Sequence, residues 1–334
     1  MKPNYIGVIF LLLCLPQSGW AQDAKLIAEG KKEGRVVIYG SLESDIFDEI
    51  KSAFEKKTGI AVDYWRASAA SLTDRAISEH RSGKTQSDVI VTNSTPMLIM
   101  LKEKVFTKYI SPTSKDFAPD IVHAELGPRY RTGVVGVIYN KSIIKPEAAP
   151  KSLEDLLKPE FRGKVAMPDP TRGVIAASWP ASLYKLMGKE KAEKFIRDFA
   201  ATRPAIVEGV LNAAERVTTG ETPLGISYLK YVVAFGQKGA PLDYVREPKM
   251  LGHGHYIGLD SKAARPSAAK AFIDFFLGED SMKTMARMGE FVTRKGIYPP
   301  LDGADKIQEI EMDELDTAGF AEKRKEYAKL FLKQ

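Results

Sequence analysis

The 334-residue sequence predicts an α/β protein made of two doubly wound lobes joined by a two-strand hinge. Three observations carry that expectation. Short β-branched runs alternate with amphipathic helical stretches, the pattern of parallel strands linked by crossover helices. The alternation breaks at a proline-containing loop, Lys145 to Pro150, and then resumes as a second set. Apolar residues make up 44% of the chain, enough for a large core, which proteins of this size usually divide between lobes.

The chain opens with one basic residue, Lys2, an uncharged apolar run from Ile6 to Leu15, and small or neutral residues ending at Gly19-Trp20-Ala21. This is the grammar of a secretory signal peptide, residues 1–21, with cleavage expected after Ala21 and the periplasm as destination. The run is too short to cross roughly 30 Å of hydrocarbon as a permanent anchor. Cys14, the only cysteine, follows three leucines. A lipidated cysteine needs a small residue before it, so no lipid anchor is expected. Removal of the signal leaves no cysteine, which excludes a disulfide framework and a thiolate metal site. It also takes away Lys2 and no acid, lowering the formal charge from +6 to +5. Charges of both signs are interspersed and no basic block occurs, so a nucleic-acid partner is not expected.

Arg35 to Tyr39 (RVVIY) reads as a buried parallel strand closed by Gly40-Ser41. Ile46, Ile50 and Phe54 then repeat every four residues, which predicts a helix with Gly59 as its stop. Ile60 to Trp65 is a second strand, Ala69 to Arg81 a helix, Asp88 to Thr92 a third strand, and Pro96 to Lys102 opens another helix. The long β-rich stretch Tyr130 to Tyr139 leads into the crossover. The second set comprises a strand at Lys164 to Met167, a helix from Thr171, a helix at Lys189 to Ala200, a strand at Leu224 to Ile226, a helix at Tyr228 to Gly236 and a strand at Leu242 to Val245. His255 to Leu259 is a further short strand, followed by helices at Ala268 to Leu277, Ser281 to Met288 and Thr317 to Leu332. Return of the chain at that strand places lobe 1 at 22–135 and 256–334 and lobe 2 at 136–255.

Ligands of open doubly wound sheets gather beyond the carboxyl ends of the strands, near helix starts that favour negative charge. Four turns qualify: Gly40 to Ser44, Asn93 to Pro96, Pro168 to Gly173, and Ser227-Tyr228. They nominate Ser41, Glu43, Asn93, Ser94, Thr95, Thr171, Arg172 and Tyr228 as ligand-binding residues, through their hydroxyl, amide, carboxylate and guanidinium groups. Trp65 and Arg66 end the second strand, where a stacking ring and a bidentate guanidinium would face the cleft. Read singly, Ser41, Ser94 and Asp169 are ordinary helix caps, Trp65 a packing residue and Arg66 half of a surface ion pair. His253 and His255 share a strand face, yet no third ligand lies near them in sequence, so they read as a loop or hinge feature and not as a metal site. Glu311, Asp313, Glu314 and Asp316 read as a solvated acidic stretch that opens a helix.

The segments EGKKEG-RVVIYGS, AFEKKTGIAVDYW, DVIVTNS, FRGKVAMPDP, GETPLGISYLKY and AAKAFIDFFL, in that order behind an export signal, resemble type II periplasmic solute-binding proteins of ABC importers, in the cluster that contains ferric-iron-binding proteins. The resemblance spans nearly the whole chain after the signal. It implies two α/β lobes on a two-strand hinge that close over a small ligand, and an ABC permease and ATPase as partners; a monomer without a cofactor is expected. The sequence departs from the resemblance where iron would sit. Leu42-Glu43-Ser44 stands where His or Tyr is typical, Arg66 replaces a frequent carboxylate, and the adjacent tyrosine pair is reduced to Tyr228-Leu229. Ferric iron wants several anionic oxygens, and Tyr228 with Glu43 beside a guanidinium is a poor set. An organic anion (carboxylate, phosphonate or sugar phosphate) is therefore expected, first on lobe 1, with Thr171, Arg172 and Tyr228 arriving on closure. Iron held by Tyr228 and Glu43 is the alternative. A secreted enzyme is the competing class, without a Gly-x-Ser-x-Gly elbow, a His-Glu-x-x-His helix or a cysteine pair to support it. A sensor that feeds a receptor is not separable from a transport component.

Overall fold

The computed structural model describes residues 18–332. The apolar run of the expected signal and Cys14 lie outside the described residues; the expected cleavage point falls within the first helix, α1 (Ser18–Glu33). The first half then runs β1 (Arg35–Gly40), α2 (Ser44–Thr58), β2 (Ala61–Arg66), α3 (Ala69–Ser82), β3 (Val89–Asn93) and α4 (Ser94–Lys102), followed by the short strands β4 (Phe106–Thr107), β5 (Val122–His123) and β6 (Gly127–Pro128). The long strand β7 (Arg131–Asn140) enters the second half, which holds β8 (Val165–Pro168), α5 (Val174–Ser182), α6 (Tyr184–Met187), α7 (Lys189–Ala201), β9 (Ala205–Val207), α8 (Val210–Thr219), β10 (Leu224–Tyr228), α9 (Lys230–Gly236) and β11 (Leu242–Tyr244). Strand β12 (Lys249–Asp260) returns, and α10 (Pro266–Phe276), α11 (Glu279–Arg287), β13 (Phe291–Val292), β14 (Gln308–Glu311) and α12 (Thr317–Tyr327) complete the chain.

The main sheet runs β2-β1-β3-β12-β7-β10-β8-β9. β1 pairs in parallel with both β2 and β3, and β8 in parallel with β9 and β10, as crossover helices require. The two long strands pair antiparallel, with Leu251 opposite Val135 and His255 opposite Arg131, and each also borders the sheet of one half. They are the expected two-strand hinge, and they fuse the two lobe sheets into one ribbon. The expected strand His255 to Leu259 is more than doubled in length, because Gly252 and Gly254 are strand positions and not loop residues. A Cβ at Gly254 would lie 2.3 Å from Arg129 Cδ, so only glycine lets that side chain cross.

Among the described residues four sets of buried side chains flank the ribbon, and the two largest define its halves. Val36, Ile38, Phe47, Phe54, Val89, Phe272 and Phe276 form the core of the first half, and Val137, Leu156, Val165, Trp179, Phe199 and Leu224 that of the second. Tyr327 and Phe331 pack in the second core. The expected lobe 1 segment 256–334 is therefore split by its packing: α10 and α11 lie against the first core and the C-terminal helix against the second. The acidic stretch is not uniformly solvated either. Glu311 pairs with Arg129, accepts the Gly254 N–H at 2.7 Å and lies on β14 beside β12, while Asp313 binds Lys185 at 2.6 Å. Glu314 and Asp316 are exposed as expected, and Asp316 caps α12 by accepting from Gly319 N.

Candidate functional site

The carboxyl ends of β1 and β10 approach each other from opposite halves, and the residues after them meet over β7 and β12. Ser41 Oγ lies 2.9 Å from Thr92 Oγ1, whose hydroxyl donates to Asn93 Oδ1 at 3.1 Å. These bonds tie the turn after β1 to the end of β3. The Leu42 carbonyl accepts from the Tyr64 hydroxyl at 2.8 Å and from Arg66 Nε at 3.2 Å. Tyr64 itself is stacked on Phe47 of α2, ring centroids 3.6 Å apart. The turn is thus clamped on the residue just before Glu43. Glu43 occupies the N-cap position of α2 but makes no side-chain cap bond, so its carboxylate is free to reach outward.

It reaches Lys230. The Lys230 ammonium, at the start of α9, lies 2.5 Å from Glu43 Oε1 and 3.0 Å from Glu290 Oε1. Glu290 Oε1 also lies 2.5 Å from Arg131 Nη1, and both of those side chains are buried. Two cations and two carboxylates therefore balance in a chain that is buried at Arg131 and Glu290 and opens to solvent at Glu43: Glu43 to Lys230 to Glu290 to Arg131. Burial disfavours the charged form of Glu43, but the Lys230 ammonium and the Arg131 guanidinium outweigh it and hold the carboxyl down to about 2. Burial likewise opposes the Lys230 charge, and Glu290 and Glu43 outweigh it, raising its pKa.

On the same face of the hinge ribbon stand His253 and His255, ring centroids 4.8 Å apart. They are buried mid-strand residues of the hinge strand β12, so the hinge half of the sequence reading holds and the loop half does not; the glycines beside them belong to the strand because a partner backbone or side chain crosses there. A Cβ at Gly133, opposite His253, would lie 2.4 Å from its ring. Burial, then Arg131, then Lys230 push His253 down to about 3, and His255 is pushed well below its ordinary value by burial and Arg131. Both imidazoles are neutral at neutral pH. The Tyr228 hydroxyl lies 3.4 Å from His253 Nε2, and burial raises its pKa well above the ordinary phenol value.

Not every expected residue joins this cluster. Trp65 turns to the other face of β2, edge-on to Tyr39 at 4.7 Å with the Arg75 guanidinium 4.2 Å above its ring. Successive strand residues point to opposite faces, so Trp65 and Arg66 do not share one ligand as the sequence reading had it. Ser94 Oγ turns to Glu311 Oε1 at 3.5 Å, and Thr95 is half-buried on α4. Asp169 Oδ1 accepts from both the backbone N–H of Thr171, at 2.8 Å, and its hydroxyl, at 2.6 Å, closing that turn on itself. Arg172 is solvent-exposed at 65% and 3.9 Å from Asp169. The sequence reading also missed Arg131, Lys230 and Glu290. Arg131 and Glu290 stand at charged positions inside otherwise apolar buried segments, a signal that could have found them.

As an iron cage the arrangement is poor. Glu43 is engaged by an ammonium, and Tyr228 is the one phenol of the described residues whose hydroxyl lies beside a hinge histidine. Among the described residues no group of three or more His, Cys, Asp or Glu could hold a metal ion. Buried cations beside neutral imidazoles and a phenol instead suit an anion.

The family model described as bacterial extracellular solute-binding protein matches residues 35–289. The Fe(3+)-binding periplasmic protein of Serratia marcescens is 24% identical over 250 residues, 71% of this chain and 68% of that one. Iron-bound HitA from Pseudomonas aeruginosa is similar in structure with a TM-score of 0.69 at 22% identity, covering 90% of this chain and 98% of that chain. The periplasmic binding protein AfuA from Actinobacillus pleuropneumoniae, solved with exogenous fructose-6-phosphate bound, gives 0.68 at 20% identity, with 90% and 99% covered. Those likenesses support the two-lobed fold, while the ligands they name differ in the sign of their charge.

Proposed function

The chain belongs to the bacterial extracellular solute-binding protein family, and we propose that the solute it captures between its lobes is a small organic anion (a carboxylate, phosphonate or sugar phosphate). Proteins of this family bind small ligands outside the cytoplasm and deliver them to an ABC permease; they are binding proteins and not enzymes. No helix among the described residues is long and apolar enough to cross a membrane. The proposal includes removal of residues 1–21 on export, action as a monomer, and a lobe division in which 136–255 forms lobe 2 together with the C-terminal helix.

The observation that carries the anion reading is the pair of buried cations, Lys230 and Arg131, where the strand ends of the two halves meet. Around them Tyr228, His253 and His255 offer neutral hydrogen-bonding groups, with Ser41, Asn93 and Arg66 near the rim. Closure is a hinge motion about β7 and β12, favoured by contacts made only when the lobes are shut. Calorimetric titration of the exported protein with citrate, inorganic phosphate, fructose 6-phosphate and ferric citrate tests this. The expected result is saturable binding of at least one iron-free anion that Lys230→Met abolishes.

Iron is the second reading, favoured by the iron-binding relatives and by Tyr228 at the cluster. A tyrosinate charge-transfer band on adding ferric citrate, lost in Tyr228→Phe, with silence toward every iron-free anion, would establish it in place of the first.

A further inference from the structure

The four charges of the buried cluster are not equivalent. Glu290 is 1% exposed and contacts both cations, so it is a permanent counter-ion. Glu43 contacts only Lys230, through one oxygen; its other oxygen, Oε2, is buried without a hydrogen bond. Its side chain is 37% exposed, and the bonds that hold its turn, at Ser41 and the Leu42 carbonyl, leave that side chain itself unclamped. Glu43 is therefore the carboxylate that can leave. We propose that Glu43 is a built-in competing anion: its carboxylate occupies the seat on Lys230 that the ligand's anionic group takes, and the ligand enters by displacing it. The inference rests on the anion reading above.

Charge balance narrows the ligand class. With Glu43 swung out, Lys230 and Arg131 face Glu290 alone, leaving one uncompensated positive charge. A buried site tolerates one added negative charge there and resists a second. The seat thus fits a singly charged head group, a carboxylate or a monoanionic phosphate or phosphonate ester, over a dianion. Tyr228 and the two neutral imidazoles supply neutral contacts and leave that balance unchanged. Glu43 also joins the two halves of the molecule while seated on Lys230, so the same residue sets the energy of closure without ligand.

The test compares wild type, Glu43→Gln and Glu43→Asp in calorimetric titrations with acetate, citrate and fructose 6-phosphate across pH 5 to 8. Removing the internal competitor should tighten binding of the accepted anion by at least about tenfold in Glu43→Gln, the ratio expected if the seat is self-occupied nine-tenths of the time. Glu43→Asp, which keeps the charge on a shorter arm, should fall between the two. Fructose 6-phosphate, where it binds, should bind more tightly as pH falls through its second phosphate ionisation. Small-angle scattering of unliganded Glu43→Gln should show a larger radius of gyration than wild type. If wild type binds an anion and Glu43→Gln binds it equally or less tightly, Glu43 is a bystander or a direct ligand contact and the inference alone falls. If neither protein binds any of the three anions, the anion reading and the inference fall together.

Discussion

Two turns of this molecule share one sequence grammar and do opposite things. Each follows a parallel strand and leads into a helix, and each carries an acid: Glu43 after β1, Asp169 after β8. Asp169, with its short side chain, curls back and accepts two hydrogen bonds from Thr171, the usual behaviour of Asp in a turn. Glu43 is longer by one methylene and sits on a turn whose preceding carbonyl is held by Tyr64 and Arg66, so its carboxylate crosses to Lys230 on the other half. One acid builds its own turn; the other builds a contact between lobes. Side-chain length and what clamps the neighbouring backbone separate structure from site.

The comparison breaks most visibly if the cation that receives Glu43 is unsettled. Glu290→Ala leaves Lys230 with the partially exposed Glu43 and strips the buried Arg131 of its ion-pair partner, and should cost about 3–5 kcal/mol of unfolding free energy, read by urea denaturation. A loss under about 1 kcal/mol would show that the buried chain of charges is not coupled.

Glu43→Asp makes the first turn resemble the second. More than a third of the Glu43 side chain is exposed, so solvent screens the ion pair and the expected loss is about 1 kcal/mol. Its pH dependence has a fixed sign. The Glu43 carboxyl is depressed from the ordinary 4.5 to about 2, so the stability it adds is fully present above the ordinary value and is lost as pH falls toward 2. The stability gap between wild type and Glu43→Gln should be flat from pH 5 to 7 and shrink below pH 4.5; a gap that widens on acidification would contradict the assignment.

Asp169→Ala opens the self-closed turn and should also cost about 1 kcal/mol, yet leave anion titrations unchanged, because no bond runs from that turn to the cluster. Arg172→Ala is the smallest, within about 0.5 kcal/mol in stability and without effect on binding, since its side chain is exposed. Loss of anion binding in either variant would put the β8 turn back in the site.

Much of the fold was legible because it rests on local pattern. Ile46, Ile50 and Phe54 line one helix face and are all buried in α2, and the expected strands at Arg35, Ile60, Asp88 and Leu224 lie within a residue or two of β1, β2, β3 and β10 at their starts. The site was legible only in part. Glu43 and Tyr228 reach the cluster, while strand alternation, a local rule, assigns Trp65 and Arg66 to opposite faces.

What the sequence determined by itself is the alternation of strands and helices, the strand ends where a ligand would gather, and the family signature, all properties of short windows. What only the tertiary structure decided is which strand ends meet. Glu43 and Lys230 are 187 residues apart, and Arg131 and Glu290 are brought together by β7 pairing with β12 and β13. A charge reads as an ordinary surface group until its partner and its burial are known, because both depend on contacts that no single window of sequence contains.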